Sequence, residues 1–243
     1  MIKKTAFALL AFITSQALQA QYKYPATPER PVVDDYFGTK ITDSYRWLED
    51  MNNLEVQKWF KDESDYTNSI VKTISGRDAL FNRMKEIQAL SGDQYGTIRQ
   101  VGDIYYYTKN KKKENIYKLY FRKNRNGAEI LLLDPSTITK GATITSFNIS
   151  PDNKKLAVTI SEDGAEVCDL KIMDLESKKF LSDKLTPVWS EFPFEFTPDS
   201  KAITYTQMFT RDNTSDDFLK NMKSLLHVIG TDPKTDKTLA SKE

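Results

Sequence analysis

The apolar positions of this chain follow two periods, with the change near residue 90. In "LEVQKWFKDESDYTNSIVKTI" the residues Val56, Trp59, Phe60, Tyr66, Ile70, Val71 and Ile74 recur in helical steps. That spacing predicts a helix from about Leu54 with one buried stripe. Asn53 stands where its side-chain oxygen can accept from the free amides of the first turn. Gly76 breaks the run, and a second short helix follows with Leu80, Phe81, Met84 and Ile87 on one face. Ahead of both lies an extended arm, "YKYPATPERPVVDDYFG", which carries three prolines and ends at Gly38. Residues 21–89 are therefore expected to form an N-terminal arm followed by helices.

From Tyr95 onward the pattern changes to short β-branched and aromatic runs separated by Gly, Asp, Asn and Pro. "DIYYYTKN" is expected to pair with "NIYKLYFRK" across a lysine-rich turn, and the run Lys109–Lys113 reads as a solvated hairpin. "AEILLLD", "SFNISPDNKKLAVTIS", "VCDLKIMDLES", "FEFTPDSKAITYTQM" and "SLLHVIGTD" continue the series. Two of these runs repeat one another. "ISPDNKKLAVTI" aligns with "FTPDSKAITYT", with Asp152 and Asp199 about 47 positions apart, and "VGDIYYYT" lies about one period earlier. A period of roughly 40–50 residues is that of a propeller blade. Pro and Asp make a tight turn, and an alternating strand leaves it. One such sheet cannot bury both faces alone, whereas sheets stacked around an axis can. Residues 90–243 are expected to form a partial β-propeller of about three blades; a β-sandwich with coincidental turns is the alternative.

The first twenty residues stand outside this pattern. Lys3 and Lys4 precede an apolar stretch, Ala6–Ile13, and then the small residues Ser15, Ala17 and Ala20. The stretch is too short to cross a bilayer, which takes roughly 20 apolar residues. The order of charge, apolar core and small residues is that of a secretory signal peptide, cut after Ala17 or Ala20, so the protein is expected to be exported to the periplasm or beyond. No other segment is apolar enough to span a membrane. Export permits disulfides, but the single cysteine, Cys168, allows no intrachain bridge and reads as a small buried hydrophobe.

Composition narrows the function classes. Hydrophobic residues make up 39% and charged residues 28%, with a net charge of +1, so nothing points to nucleic acid or an anionic membrane as partner. The densest candidate chemistry is "PVVDDYFGTKITDSYRWLED", Pro31–Asp50. Asp34 and Asp35 lack a third ligand at metal spacing, so neither a metal nor an acid–base pair is expected there. Asp43 reads as a cap for the following turn, and Arg46 and Glu49 as a pair one turn apart. Trp47 and Leu48 offer burial, on the order of 2–3 kcal/mol each if fully covered. No Gly-x-Ser-x-Gly elbow, phosphate loop or metal-spaced cluster occurs, and no cofactor is expected. The one histidine, His227, lies in a strand-like run and reads as structural. Trp189, in "LTPVWSEFPFEF", reads first as core packing.

Several segments together resemble the N-terminal part of the prolyl oligopeptidase family of serine peptidases. Asp43-Ser44-Tyr45-Arg46-Trp47-Leu48-Glu49 is similar to the family's Asp-Pro-Tyr-Arg-Trp-Leu-Glu. Leu133–Ser136 resembles its Leu-Asp-Pro-Asn segment, "SPDNKKLAVTISEDGAEVCDLKIMDLESKK" its second-blade region, and His227–Thr231 its His-x-Leu-Gly-Thr segment. The likeness covers nearly all of the chain after the signal, in family order. One departure is Gly164-Ala165-Glu166-Val167, where the family often has Gly-Ser-Asp-Trp, so contacts made through that loop are not carried over. The resemblance implies a propeller that caps an α/β-hydrolase domain, with the arm and helices packed on that domain. It implies cleavage of short peptides after proline, with the propeller restricting access. It also implies that the aromatic at Trp189 faces the central cavity and helps line a distal substrate pocket. The expected partners are short peptides and a C-terminal α/β-hydrolase domain absent from this chain. The chain stops at "LASKE", just past a blade turn with no closing strand, which reads as a fragment. A secreted, non-catalytic propeller-like binding module is the alternative.

Overall fold

The structure, a computed structural model, describes residues 22–112 and 114–241, so the signal segment and Lys113 lie outside it. The chain divides into two units at the Ala89–Leu90 bond.

The first unit begins with the arm and a hairpin, β1 (Val32–Tyr36) and β2 (Thr39–Asp43), in the register Val32–Asp43 to Tyr36–Thr39. Phe37 and Gly38 make its two-residue turn, both at positive φ, the twist that suits a tight hairpin. A short 3-10 turn, Arg46–Glu49, leads to helix α1 (Leu54–Thr73). Asn53 caps α1 by accepting from the Glu55 amide at 2.9 Å. Helix α2 (Arg77–Leu90) follows. The predicted stripe of α1 is only partly buried. Val56 is sealed and Trp59, Tyr66, Ile70 and Val71 are half-buried, but Phe60 and Ile74 are exposed. On α2, Leu80, Phe81, Met84 and Ile87 share a face as expected, yet all four are exposed. Helical periodicity marks a face that can be buried and does not supply the surface that buries it.

The second unit is mainly β and consists of three successive four-stranded sheets. The first holds β3 (Gln94–Val101), β4 (Ile104–Asn110), β5 (Lys118–Lys123) and β6 (Ile130–Leu133), all antiparallel in chain order. The second holds β7 (Ala142–Ile149), β8 (Lys155–Glu162), β9 (Val167–Asp174) and β10 (Lys179–Trp189). The third holds β11 (Glu195–Phe196), β12 (Ala202–Gln207), β13 (Lys223–Val228) and β14 (Lys237–Ser241). The second and third are continuous only through the Val188–Gln207 pair, where the bulged end of β10 crosses from one blade to the next.

The repeat seen in the sequence is a repeat of turns. Between β7 and β8, Asp152 Oδ1 accepts from Ser150 Oγ at 2.6 Å and from the Lys154 amide at 3.1 Å. Between β11 and β12, Asp199 Oδ1 accepts from Thr197 Oγ1 at 2.6 Å and from the Lys201 amide at 3.1 Å. Asn153 and Ser200, which leave these turns, are both at φ 60°. The first strands of the blades are also tied in series: Arg99 Nε donates to Asn148 Oδ1, and Asn148 Nδ2 donates to the Phe194 carbonyl. This is blade stacking and not a sandwich.

Burial sits between the blades. Tyr106, Leu119, Leu132 and Leu133 of the first pack with Phe147, Leu156, Val158 and Ile160 of the second. Ala157, Leu170, Ile172, Leu185 and Val188 of the second pack with Ile203, Tyr205 and Leu225 of the third.

Two expectations are corrected here. Lys109 is not a solvated turn residue. It is the second-last residue of β4 and almost fully buried, like the three residues before it, with Nζ 2.7 Å from Asp93 and 3.0 Å from Glu129, two carboxylates that neutralise it there. The chain end also supplies a strand: β14 pairs with β13 from Lys223–Ser241 to Leu226–Lys237. All five of its residues are exposed, so no alternating pattern announced it.

Candidate functional site

In the opening stretch each aspartate and glutamate has a local partner. Asp35 Oδ1 accepts from the Gly38 amide at 2.6 Å and closes the hairpin turn. Asp43 accepts from the Tyr45 amide at 2.8 Å and from Arg46 Nε at 3.1 Å. Those two donors hold the Asp43 carboxyl below the usual carboxylate range. Arg46 also pairs with Asp34 and, at 3.4 Å, with Glu49. The two indole N–H groups hold the arm: Trp47 donates to the Pro28 carbonyl and Trp59 to Thr27 Oγ1, each at 2.9 Å. Arg30 lies 4.5 Å over the Trp47 ring and forks onto Glu55. Trp47 and Leu48 are half-buried. The cluster is a clasp for the arm, with no carboxylate left free for acid–base work.

Trp189 ends β10 opposite Val167 of β9. Its ring lies 5.6 Å from Phe218 and 6.4 Å from Phe192, and it is half-buried. Beside it is a cavity of about 500 Å³ lined by Gly164, Ala165, Glu166, Val167, Arg211 and Phe218 among others. The loop that departs from the family pattern therefore forms one wall of the space next to the candidate aromatic. Arg211 is held in place by Asp169 and Thr186 and by the Cys168 carbonyl, at 3.3 Å. Burial alone would raise the Asp169 carboxyl, but Lys184 at 2.9 Å, Thr186 at 2.8 Å and the charge of Arg211 hold it below the ordinary range. Cys168 is sealed, and burial pushes its thiol up to about 11, so it is no nucleophile.

Asp169, Arg211, Phe192 and Phe218 were not singled out by sequence. Arg211 and Phe218 lie in the long connection between β12 and β13, whose polar run carries no periodicity. Its length was the available signal, since long connections inside compact domains are uncommon and often functional. Among the described residues no His, Ser and Asp come together as a catalytic triad, because the one histidine lies sealed between two aspartates.

The depressed Asp169 carboxyl gives a signed prediction. Its contribution to stability is present above about pH 4, the unfolded value, and is lost as pH falls through the folded one. Asp169→Asn is expected to flatten the acid limb of the stability curve, read by urea melts from about pH 6 to 3. An unchanged acid limb would show that the Lys184 and Arg211 contacts contribute nothing.

A model of the prolyl oligopeptidase N-terminal β-propeller domain matches residues 24–243. The chain belongs to the prolyl oligopeptidase family. Within that family it is 31% identical over 185 residues to a prolyl endopeptidase of Elizabethkingia meningoseptica, covering 75% of this chain and 25% of the relative. It is 22% identical over 228 residues to Protease 2 of Moraxella lacunata, covering 89% of this chain and 32% of that one. Among solved structures, one from a study of two prolyl endopeptidases superposes with a TM-score of 0.72 at 26% identity, over 90% of this chain and 33% of that one. Prolyl oligopeptidase B from Galerina marginata, bound to a 35mer substrate, shares the fold at a TM-score of 0.70 and 20% identity, over 91% of this chain and 34% of that one. The chain thus spans about a quarter to a third of the length of these relatives. Its three blades and N-terminal helices are part of the family's N-terminal propeller region.

Proposed function

We propose that this chain is the N-terminal part of an exported prolyl oligopeptidase-like serine endopeptidase, whose propeller admits short proline-containing peptides to a catalytic domain encoded outside these residues. The observation that carries the reading is the family match along residues 24–243, together with two relatives that are prolyl endopeptidases. The exposed apolar faces of α2 and of the hairpin are the surfaces that a hydrolase domain would cover. Export rests on the residues before Gln21, with Lys3, Lys4 and the apolar Ala6–Ile13 as its support. Trp189, with Phe218 and the adjoining cavity, is the proposed peptide contact on the propeller.

A hydrolytic site needs a nucleophile, a base and an oxyanion hole in one constellation. The isolated chain is expected to be inert toward a chromogenic Gly-Pro substrate and to form an active enzyme only when produced together with a hydrolase domain of the family. Activity of the lone chain that survives repurification would overturn this division of labour. A chain that binds prolyl peptides yet gains nothing from the hydrolase domain would favour the secreted binding module instead.

A further inference from the structure

His227 of β13 is completely buried, and both of its ring nitrogens face carboxylates. Nε2 lies 2.7 Å from Oδ1 of Asp183, on the outer strand β10 of the second blade. Nδ1 lies 2.7 Å from Oδ1 of Asp236, in the turn between β13 and β14 of the third blade. A neutral imidazole carries one N–H and one lone pair. With two carboxylate oxygens at hydrogen-bond distance, one contact would then set lone pair against lone pair, away from water. The cluster therefore needs one more proton than a neutral ring between two carboxylates.

The remaining contacts bear on where that proton sits. Asp236 Oδ2 accepts from the Tyr205 hydroxyl at 2.8 Å. Burial, and then Asp236 itself, raise the Tyr205 phenol, so it stays a donor. Asp183 Oδ1 accepts from the Gly230 amide at 2.5 Å, a fixed donor that suits a carboxylate and not a hydroxyl. Asp183 Oδ2 is buried with no partner, so a proton there would have nothing to donate to. Lys184, next in the chain, turns to Asp169 and supplies no charge here. The groups facing the ring are thus Asp183 and Asp236, with Tyr205 behind the second.

We infer that His227 is a doubly protonated imidazolium held between Asp183 and Asp236, a charged latch that fastens the third blade to the second. The latch goes beyond the proposed peptidase reading. It grips β10 six positions before Trp189, and it makes His227 unavailable as a base.

The test uses three variants of the full chain. His227→Gln is expected to lower Tm by about 10 °C, since it strands two buried carboxylates, and Asp183→Asn by less, since His227 and Asp236 remain a charge pair. Amide exchange at Gly230 is expected to speed up at least about tenfold in both. The double variant is expected to lose less than the sum of the two. A silent His227→Gln would mean that no charged ring holds the two carboxylates together, and would overturn the assignment. Should the variants not fold, the wild-type chain still decides, because it contains one histidine. With 15N-labelled histidine at about pH 7.5, where a free imidazole is largely neutral, two protonated-type ring nitrogens are expected. One unprotonated-type nitrogen would overturn the latch.

Discussion

Phe147→Ala is expected to destabilise the propeller unit by about 3–5 kcal/mol, the usual loss when a buried aromatic is truncated. Phe147 is fully buried on β7, the first strand of the second blade. Its cluster includes Tyr106, Leu119, Leu132 and Leu133 of the first blade and Leu156 and Val158 of its own. The alanine leaves a cavity between two sheets whose backbones are each fixed by their own ladders, so collapse around it is limited. Leu80→Ala on the exposed face of α2 is the control and is expected to stay within about 0.5 kcal/mol. Urea melts of both variants against the wild type give the comparison. A Phe147→Ala loss below about 1 kcal/mol would mean that the blades are not packed through this residue.

The second large effect concerns Trp189 in the protein joined to its proposed hydrolase domain. Trp189→Ala is expected to raise KM for a prolyl peptide of five or more residues about tenfold, with kcat little changed, as loss of a ring contact made equally in ground and transition states predicts. A dipeptide substrate, too short to reach a distal pocket, is expected to be nearly unaffected. The ring already touches Phe192 and Phe218, so part of its role is packing, and the split between long and short substrates separates the two roles. Equal losses on both substrates, or none on either, would remove Trp189 from the peptide path.

Much of this architecture was legible along the chain. The change from helical to alternating period near residue 90 coincides with the division between the units. The cap at Asn53 and the pairing of β4 with β5 were readable because each depends on residues close in sequence. The Pro-Asp turns repeat because each blade needs the same tight exit into its second strand. β10, β14 and most of β3 were not singled out, for a common reason. β10 is interrupted by bulges, and β3 and β14 are largely exposed, so their apolar residues follow no simple alternation.

The candidate site was legible in one residue. Trp189 was named because the family resemblance places a cavity-facing aromatic near it, whereas Asp169, Arg211 and Phe218 join it only when β9 and the β12–β13 connection come together, from positions about 20 to 40 residues apart.

What the sequence by itself determined is what local chemistry decides: the helix starts, the turn residues, the strand alternation, the blade period and the lack of a nucleophile elbow. Only the tertiary structure decided which polar groups are buried and with whom. Lys109 looked like part of a solvated run, and His227 looked like one more strand residue. Their partners lie 16 to 44 positions away, at Asp93, Glu129, Asp183 and, nearer, Asp236. A buried charge is tolerated only where opposite charges converge on it, and that convergence is made by the stacking of sheets.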